Sequence, residues 1–192
     1  MFPDASTGLL SSKMTINIDS PRVGCSAQKH ISYYLKYSRL VVKSLELASF
    51  QQFLCWMLKK EKIEEQKVRC IDVKVFPRRR KNGKCLARNC DVNRGKIRIY
   101  PKPIKACLFF TQKFGKQTFM AYAGNRAQAA LIHELLHLKY VADEPKVREL
   151  TREYFFTFTK NHSGNSPRKR RANTLIFRLD ALDESSENRF IK

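Results

Sequence analysis

A chain of 192 residues, 43% apolar and 11% aromatic, can bury one domain-sized core and is too apolar for an intrinsically disordered chain. Its 38 Lys and Arg against 17 acids leave a net charge of +21, beyond what solubility needs. That favours a polyanionic contact such as nucleic acid or an acidic membrane surface, a generally basic proteome being the plain alternative. No stretch reaches the roughly 20 apolar residues that span a bilayer, and no basic segment followed by an apolar one marks a secretory signal. A cytoplasmic chain with reduced cysteines is therefore expected.

Residues 1–30 are polar and mixed and read as a flexible leader. Residues 32–66 hold Leu40, Val41, Leu45, Leu47, Ala48, Phe50, Phe53, Leu54, Trp56, Met57 and Leu58 at helical spacing without Gly or Pro, predicting one long helix against a sheet. A β-branched run follows, with Ile71, Val73 and Val75, closed by Pro77, and reads as a strand. Asn82-Gly83 marks a tight turn, a weak strand is expected near residues 84–87, and Asn93-Arg94-Gly95 marks another turn. Residues 96–100 (KIRIY) alternate and stop at Pro101 and Pro103, which reads as a strand at or near a sheet edge.

Residues 104–114 predict a helix ended by Gly115. Asn125, with Gln128 three residues on, resembles a capping box, so the next helix is expected to start after Gly124 and run to Tyr140. Asp143 is placed to cap a further helix, with Pro145 in its first turn, continuing to about Lys160. Residues 162–192 change to a basic linker and an acidic, Ser-rich tail. The expected architecture is α+β: an N-terminal helix, a small twisted sheet, and two consecutive helices, within residues 31–161.

The chemistry lies in the first of those two helices. His133-Glu134-Leu135-Leu136-His137 is an HExxH sequence, and residues four apart share a helix face, so both imidazoles can meet one Zn²⁺. Glu134 is placed to take a proton from the activated water. With only 4 His in the chain the pattern arises by chance at roughly 0.4%, which favours function over two histidines satisfied in a core helix. A catalytic zinc needs a third ligand, for which Asp143, Glu144, Glu149, Glu153 and His162 are available. On a helical wheel Glu144 shares a face with Val147, Thr151, Tyr154, Phe155 and Phe158, whereas Glu149 and Glu153 fall on the solvent side. A first-turn carboxylate serving the helix dipole is the alternative reading of Glu144.

The HELLH helix, a short turn and a second helix beginning DEPKVRELTREYF resemble the core of the gluzincins, in particular the small single-domain minigluzincins. The resemblance covers residues 68–160 and implies a zinc metallopeptidase with Glu144 as third ligand. It also implies that residues 96–100 are the edge strand along which an extended peptide substrate lies. The chain departs from the family in its short interval from His137 to Glu144 and in having Val147 where a small residue is usual. SprT-like proteases, which pair HExxH with a third histidine and act on DNA-bound proteins, are a more distant likeness. For the oxyanion the residues on offer are Tyr154 and Arg126.

Two further signals stand apart. Cys85 and Cys90, with Cys70 and Cys107, could form a structural zinc site, although paired CxxC knuckles are absent and buried single cysteines are commoner. Residues 74–105 hold 12 basic residues against Asp91 alone, including Arg78, Arg79, Arg80 and Lys81; Arg168, Lys169, Arg170 and Arg171 form a second run. Both could hold phosphates, without the interleaved aromatics that stack bases. The rival to a peptidase is thus a basic nucleic-acid-binding protein with a structural or vestigial zinc site.

Overall fold

The computed structural model describes residues 14–19, 30–79, 85–86, 88–91 and 94–162. In chain order these form β1 (Thr15–Asp19), α1 (Ile31–Leu45), α2 (Ala48–Glu61), a short 3₁₀ turn (Glu65–Lys67), β2 (Cys70–Lys74), β3 (Arg78–Arg79) and β4 (Cys85–Leu86). Then come β5 (Arg88–Asp91), β6 (Lys96–Ile99), α3 (Ile104–Phe114), α4 (Lys116–Tyr140) and α5 (Glu144–His162). The expected α+β arrangement is what the chain adopts.

The four-stranded sheet has the order β1-β2-β6-β5, with β1, β2 and β6 parallel and β5 antiparallel to β6. Alternation puts Ile16 and Ile18, Ile71 and Val73, and Ile97 and Ile99 on one face, where the residues of β2 and β6 are essentially fully buried. That face packs against α1 and α4. The opposite face carries paired charge: Lys74 bonds Asp19, Lys96 lies 3.8 Å from Asp72, and Arg98 lies 3.4 Å from Asp91. Beyond α4, α2 and α5 close a second layer through Phe50, Phe53, Tyr154 and Phe158.

Four sequence expectations need correction. Thr15–Asp19, inside the span read as a leader, is strand β1; two alternating isoleucines are too short a signal to see before β2 offers a partner. The single long helix is two, broken at Glu46-Leu47. Leu47 is extended (φ −54°, ψ 123°), and the Gln51 side chain donates to the Leu45 carbonyl at 2.6 Å, so the break is satisfied without Gly or Pro. α2 ends early because Lys62 turns left-handed (φ 56°).

The HExxH helix starts at Lys116 rather than after Gly124. Gly124 sits mid-helix because α1 crosses there: a Cβ would meet the Ser44 Cβ at 3.0 Å. Gln128, read as part of a capping box, instead donates to the Ser44 carbonyl at 2.9 Å. Finally, β6 is an inner strand between β2 and β5, so residues 96–100 are no sheet edge; among the described residues that edge is β5.

Candidate metal centre

The middle of α4 is enclosed on every side: residues 126–136 are all buried, between the sheet, α1, α2, α3 and α5. His133 and Glu134 therefore sit where water is scarce, with side chains 5% and 8% exposed, while His137, one turn on, is 21% exposed at the rim. Val141, Ala142 and Asp143 make the turn into α5, closed by Asp143 N–H donating to the Tyr140 carbonyl at 2.7 Å. Asp143 caps α5 as expected, its Oδ1 accepting from Lys146 N at 3.1 Å. This tight turn resolves the short interval noted in the sequence: it folds the first residue of α5, Glu144, back over His137.

The predicted buried face of α5 is the observed one, with Val147, Thr151, Tyr154, Phe155 and Phe158 buried and Glu149 and Glu153 exposed.

Three ligand atoms converge. His137 Nε2 lies 2.9 Å from His133 Nε2 and 3.0 Å from Glu144 Oε2, and His133 Nε2 lies 3.5 Å from that oxygen. Zn–N and Zn–O bonds of about 2.0–2.2 Å at tetrahedral angles put donor atoms about 3.3–3.5 Å apart, within a few tenths of an ångström of this spacing. The His133–His137–Glu144 group can hold a metal ion, and it is the one such group of His, Cys, Asp and Glu among the described residues.

Tautomers support the same reading. His137 Nδ1 lies 3.0 Å from the Val141 carbonyl, which can only accept, so Nδ1 carries the proton and Nε2 the lone pair. Thr151 Oγ1 donates to the Val147 carbonyl at 2.6 Å and so presents a lone pair to His133 Nδ1 at 3.4 Å. Outer hydrogen bonds of this kind orient metal-binding imidazoles. Burial, reinforced by the charge of Arg88, holds the His133 pKa down to about 2, keeping it neutral. Burial works to raise Glu144, but the Arg148 hydrogen bond (2.7 Å) and the charges of Arg148 and Arg88 keep it below the ordinary range, as an anion. Burial pushes Glu134 up against the opposing pull of Arg88.

Arg88 escaped the sequence reading, where it was one of the basic residues of the 74–105 segment. Its Nη2 donates to His133 Nε2 at 2.7 Å, its Nε lies 2.9 Å from Glu134 Oε1, and Nη2 is 4.0 Å from Glu144 Oε1. The sheet register explains its place: Arg88 pairs with Ile99 across β5 and β6, in the row continued by Val73 and Ile18. It thus holds the inward position that the other three strands give to an apolar residue.

The residues offered for the oxyanion are occupied elsewhere. Tyr154 OH donates to Glu61, and Arg126 Nη1 donates to the Tyr100 carbonyl at 3.1 Å. Of the cysteines, Cys70 donates to Asp72, Cys107 is buried on α3, and burial raises Cys90 to about 11; the Cys85 side chain lies outside the described residues. Of the candidate anion-binding residues, Arg78 is exposed on β3 with Arg79 beside it in the strand. Arg80, Lys81, Arg168, Lys169, Arg170 and Arg171 lie outside the described residues. No helix among the described residues is long and apolar enough to cross a membrane. Comparison with protein-family models, curated proteins and solved structures finds no match to this chain.

Proposed function

We propose that this chain is a zinc-dependent peptidase, a reading carried by the convergence of His133 Nε2, His137 Nε2 and Glu144 Oε2 beside the buried Glu134. Two imidazoles and one carboxylate are a ligand set suited to zinc with a position left open for chemistry. Zinc held there would lower the pKa of a bound water towards 7 and polarise a substrate carbonyl. Glu134 follows the first ligand on the same helix. Its burial raises its proton affinity, which suits a base that accepts a proton from water and returns it to the departing amine. The described edge strand, β5, lies against α4 and offers backbone groups on its outer side, where an extended peptide can pair.

The nucleic-acid reading draws less support from the described sheet. Lys74, Lys96 and Arg98 are matched by Asp19, Asp72 and Asp91, and Arg88 turns inward.

The test combines metal content with hydrolysis. About one zinc per chain is expected, lost in His137→Ala. Cleavage of an unfolded protein substrate is expected to fall by at least about 100-fold in Glu134→Gln, which leaves the zinc bound. A chain that takes up no zinc after supplementation, or whose cleavage survives Glu134→Gln, would sink the peptidase. Salt-sensitive binding to nucleic acid, unaltered by Glu134→Gln, would then be the remaining activity to pursue.

A further inference from the structure

Three acceptors that face one another repel unless a cation lies among them. His133 Nε2, His137 Nε2 and Glu144 Oε2 all present lone pairs to a common point, since both histidines keep their protons on Nδ1. The chain supplies a cation of its own. Arg88 reaches in from β5 and donates to His133 Nε2 at 2.7 Å, the lone pair a metal needs, while its Nε holds the Glu134 carboxylate at 2.9 Å.

We propose that Arg88 is an internal cation that competes with the metal for His133, so that metal uptake requires the guanidinium to swing out of the centre. The inference rests on the metal reading above and deepens it by naming what sets the affinity of the site. Arg88 stands in a row of otherwise apolar inward residues, Ile18, Val73 and Ile99, where a guanidinium has no packing role and needs charged partners. Its partners include the first ligand and the base, with Glu144 4.0 Å away. The planar fork serves both at once, through Nη2 and Nε.

Its strand is built to yield. β5 is four residues long and, among the described residues, pairs with β6 alone, so the side chain can leave without disturbing the sheet interior. Guanidinium and a divalent ion cannot share the same lone pair, and each repels the other across the short distances of the site. With Arg88 in the centre, the first ligand faces a cation and the base is engaged. Loading with metal would release Glu134 from the guanidinium that engages it.

The experiment measures Zn²⁺ affinity by competition with a chromophoric chelator, alongside the melting temperature with and without Zn²⁺. Wild type is compared with Arg88→Met, Arg88→Gln and His137→Ala. Arg88→Met keeps an unbranched aliphatic stem and removes the charge; Arg88→Gln keeps a polar group should the apolar variant fold poorly. Both are expected to bind Zn²⁺ at least tenfold tighter than wild type, with lower metal-free melting temperatures and larger rises on adding Zn²⁺. Equal or weaker binding in both variants overturns the competition and leaves the metal centre standing. If wild type and both Arg88 variants bind no more Zn²⁺ than His137→Ala, the metal reading itself fails and this inference with it.

Discussion

Glu61, the last residue of α2, is a buried carboxylate on which three donors converge, and replacing it by glutamine tests what fastens the α4–α5 hairpin. Tyr140 OH donates to Oε2 at 2.7 Å, Lys139 Nζ donates to the same oxygen at 3.0 Å, and Tyr154 OH donates to Oε1. Burial by itself would raise this carboxyl; the three donors and the Lys139 charge overcome it and bring the pKa down to about 2, from an ordinary 4.5. A difference of about 2.5 units corresponds to about 3 kcal/mol, and with the side chain 9% exposed little is lost to solvent screening.

Because the folded pKa lies below the unfolded one, the contribution is fully present above about pH 4.5. It drains away as pH falls from there towards 2. Glu61→Gln should therefore cost about 2–3 kcal/mol at pH 7, a fall in melting temperature of about 5–10 °C for a chain of this size. Urea denaturation of both proteins at pH 7 and at pH 2.5 reads the difference directly. The gap should shrink by more than half at the lower pH. A gap below about 0.5 kcal/mol at pH 7, or one of equal size at both values, would refute the account of Glu61 as an anchoring anion.

Two predictions concern the metal centre itself. Glu144→Ala should weaken Zn²⁺ binding by more than about 100-fold in chelator competition, because loss of an outer-shell partner alone typically costs 10–100-fold. A Glu144 that merely served the helix dipole would instead lower stability by less than about 1 kcal/mol and leave zinc binding intact. Thr151→Val keeps the shape of the side chain but removes the acceptor facing His133 Nδ1, and should lower Zn²⁺ affinity about tenfold with the fold retained by circular dichroism. Unchanged affinity would show that packing alone holds the His133 ring.

What could be read in the sequence was local chemistry carried on helical periodicity. The HExxH spacing needs only a helix to bring two imidazoles together, and α4 is that helix. Glu144 could be chosen over Glu149 and Glu153 because 100° per residue separates them on a helix whose apolar stripe is plain. The Asp143 cap and the Gly115 boundary were visible for the same reason, each being a backbone requirement met within a few residues. The polar leader, by contrast, concealed β1, since a five-residue strand is defined by the neighbour it pairs with.

Misreadings arose where a tertiary contact changed the meaning of a residue. Gly124 looks like punctuation in the sequence, yet its missing side chain lets Ser44 of α1 approach, with the Ser44 hydroxyl donating to its carbonyl at 3.3 Å. Gln51 stabilises a helix break that no residue type announces. The prolines after KIRIY end β6 without putting it at an edge, because β5 precedes it in the chain and folds back against its outer side.

Arg88 is the sharpest case, and it shows why a charge count cannot find a site. In the segment 74–105 it is one basic residue among twelve, with nothing in its type or neighbours to single it out. Its meaning is fixed by register: pairing Arg88 with Ile99 sends it inward, whereas a slip of one residue would send it out beside Arg98. Asn89 and Asp91 take that outer face, with Asn89 accepting from Arg98 at 2.9 Å, and Cys90 packs inward against the core. The pairing that satisfies those residues is thus the one that commits a guanidinium to the interior, where His133, Glu134 and Glu144 receive it.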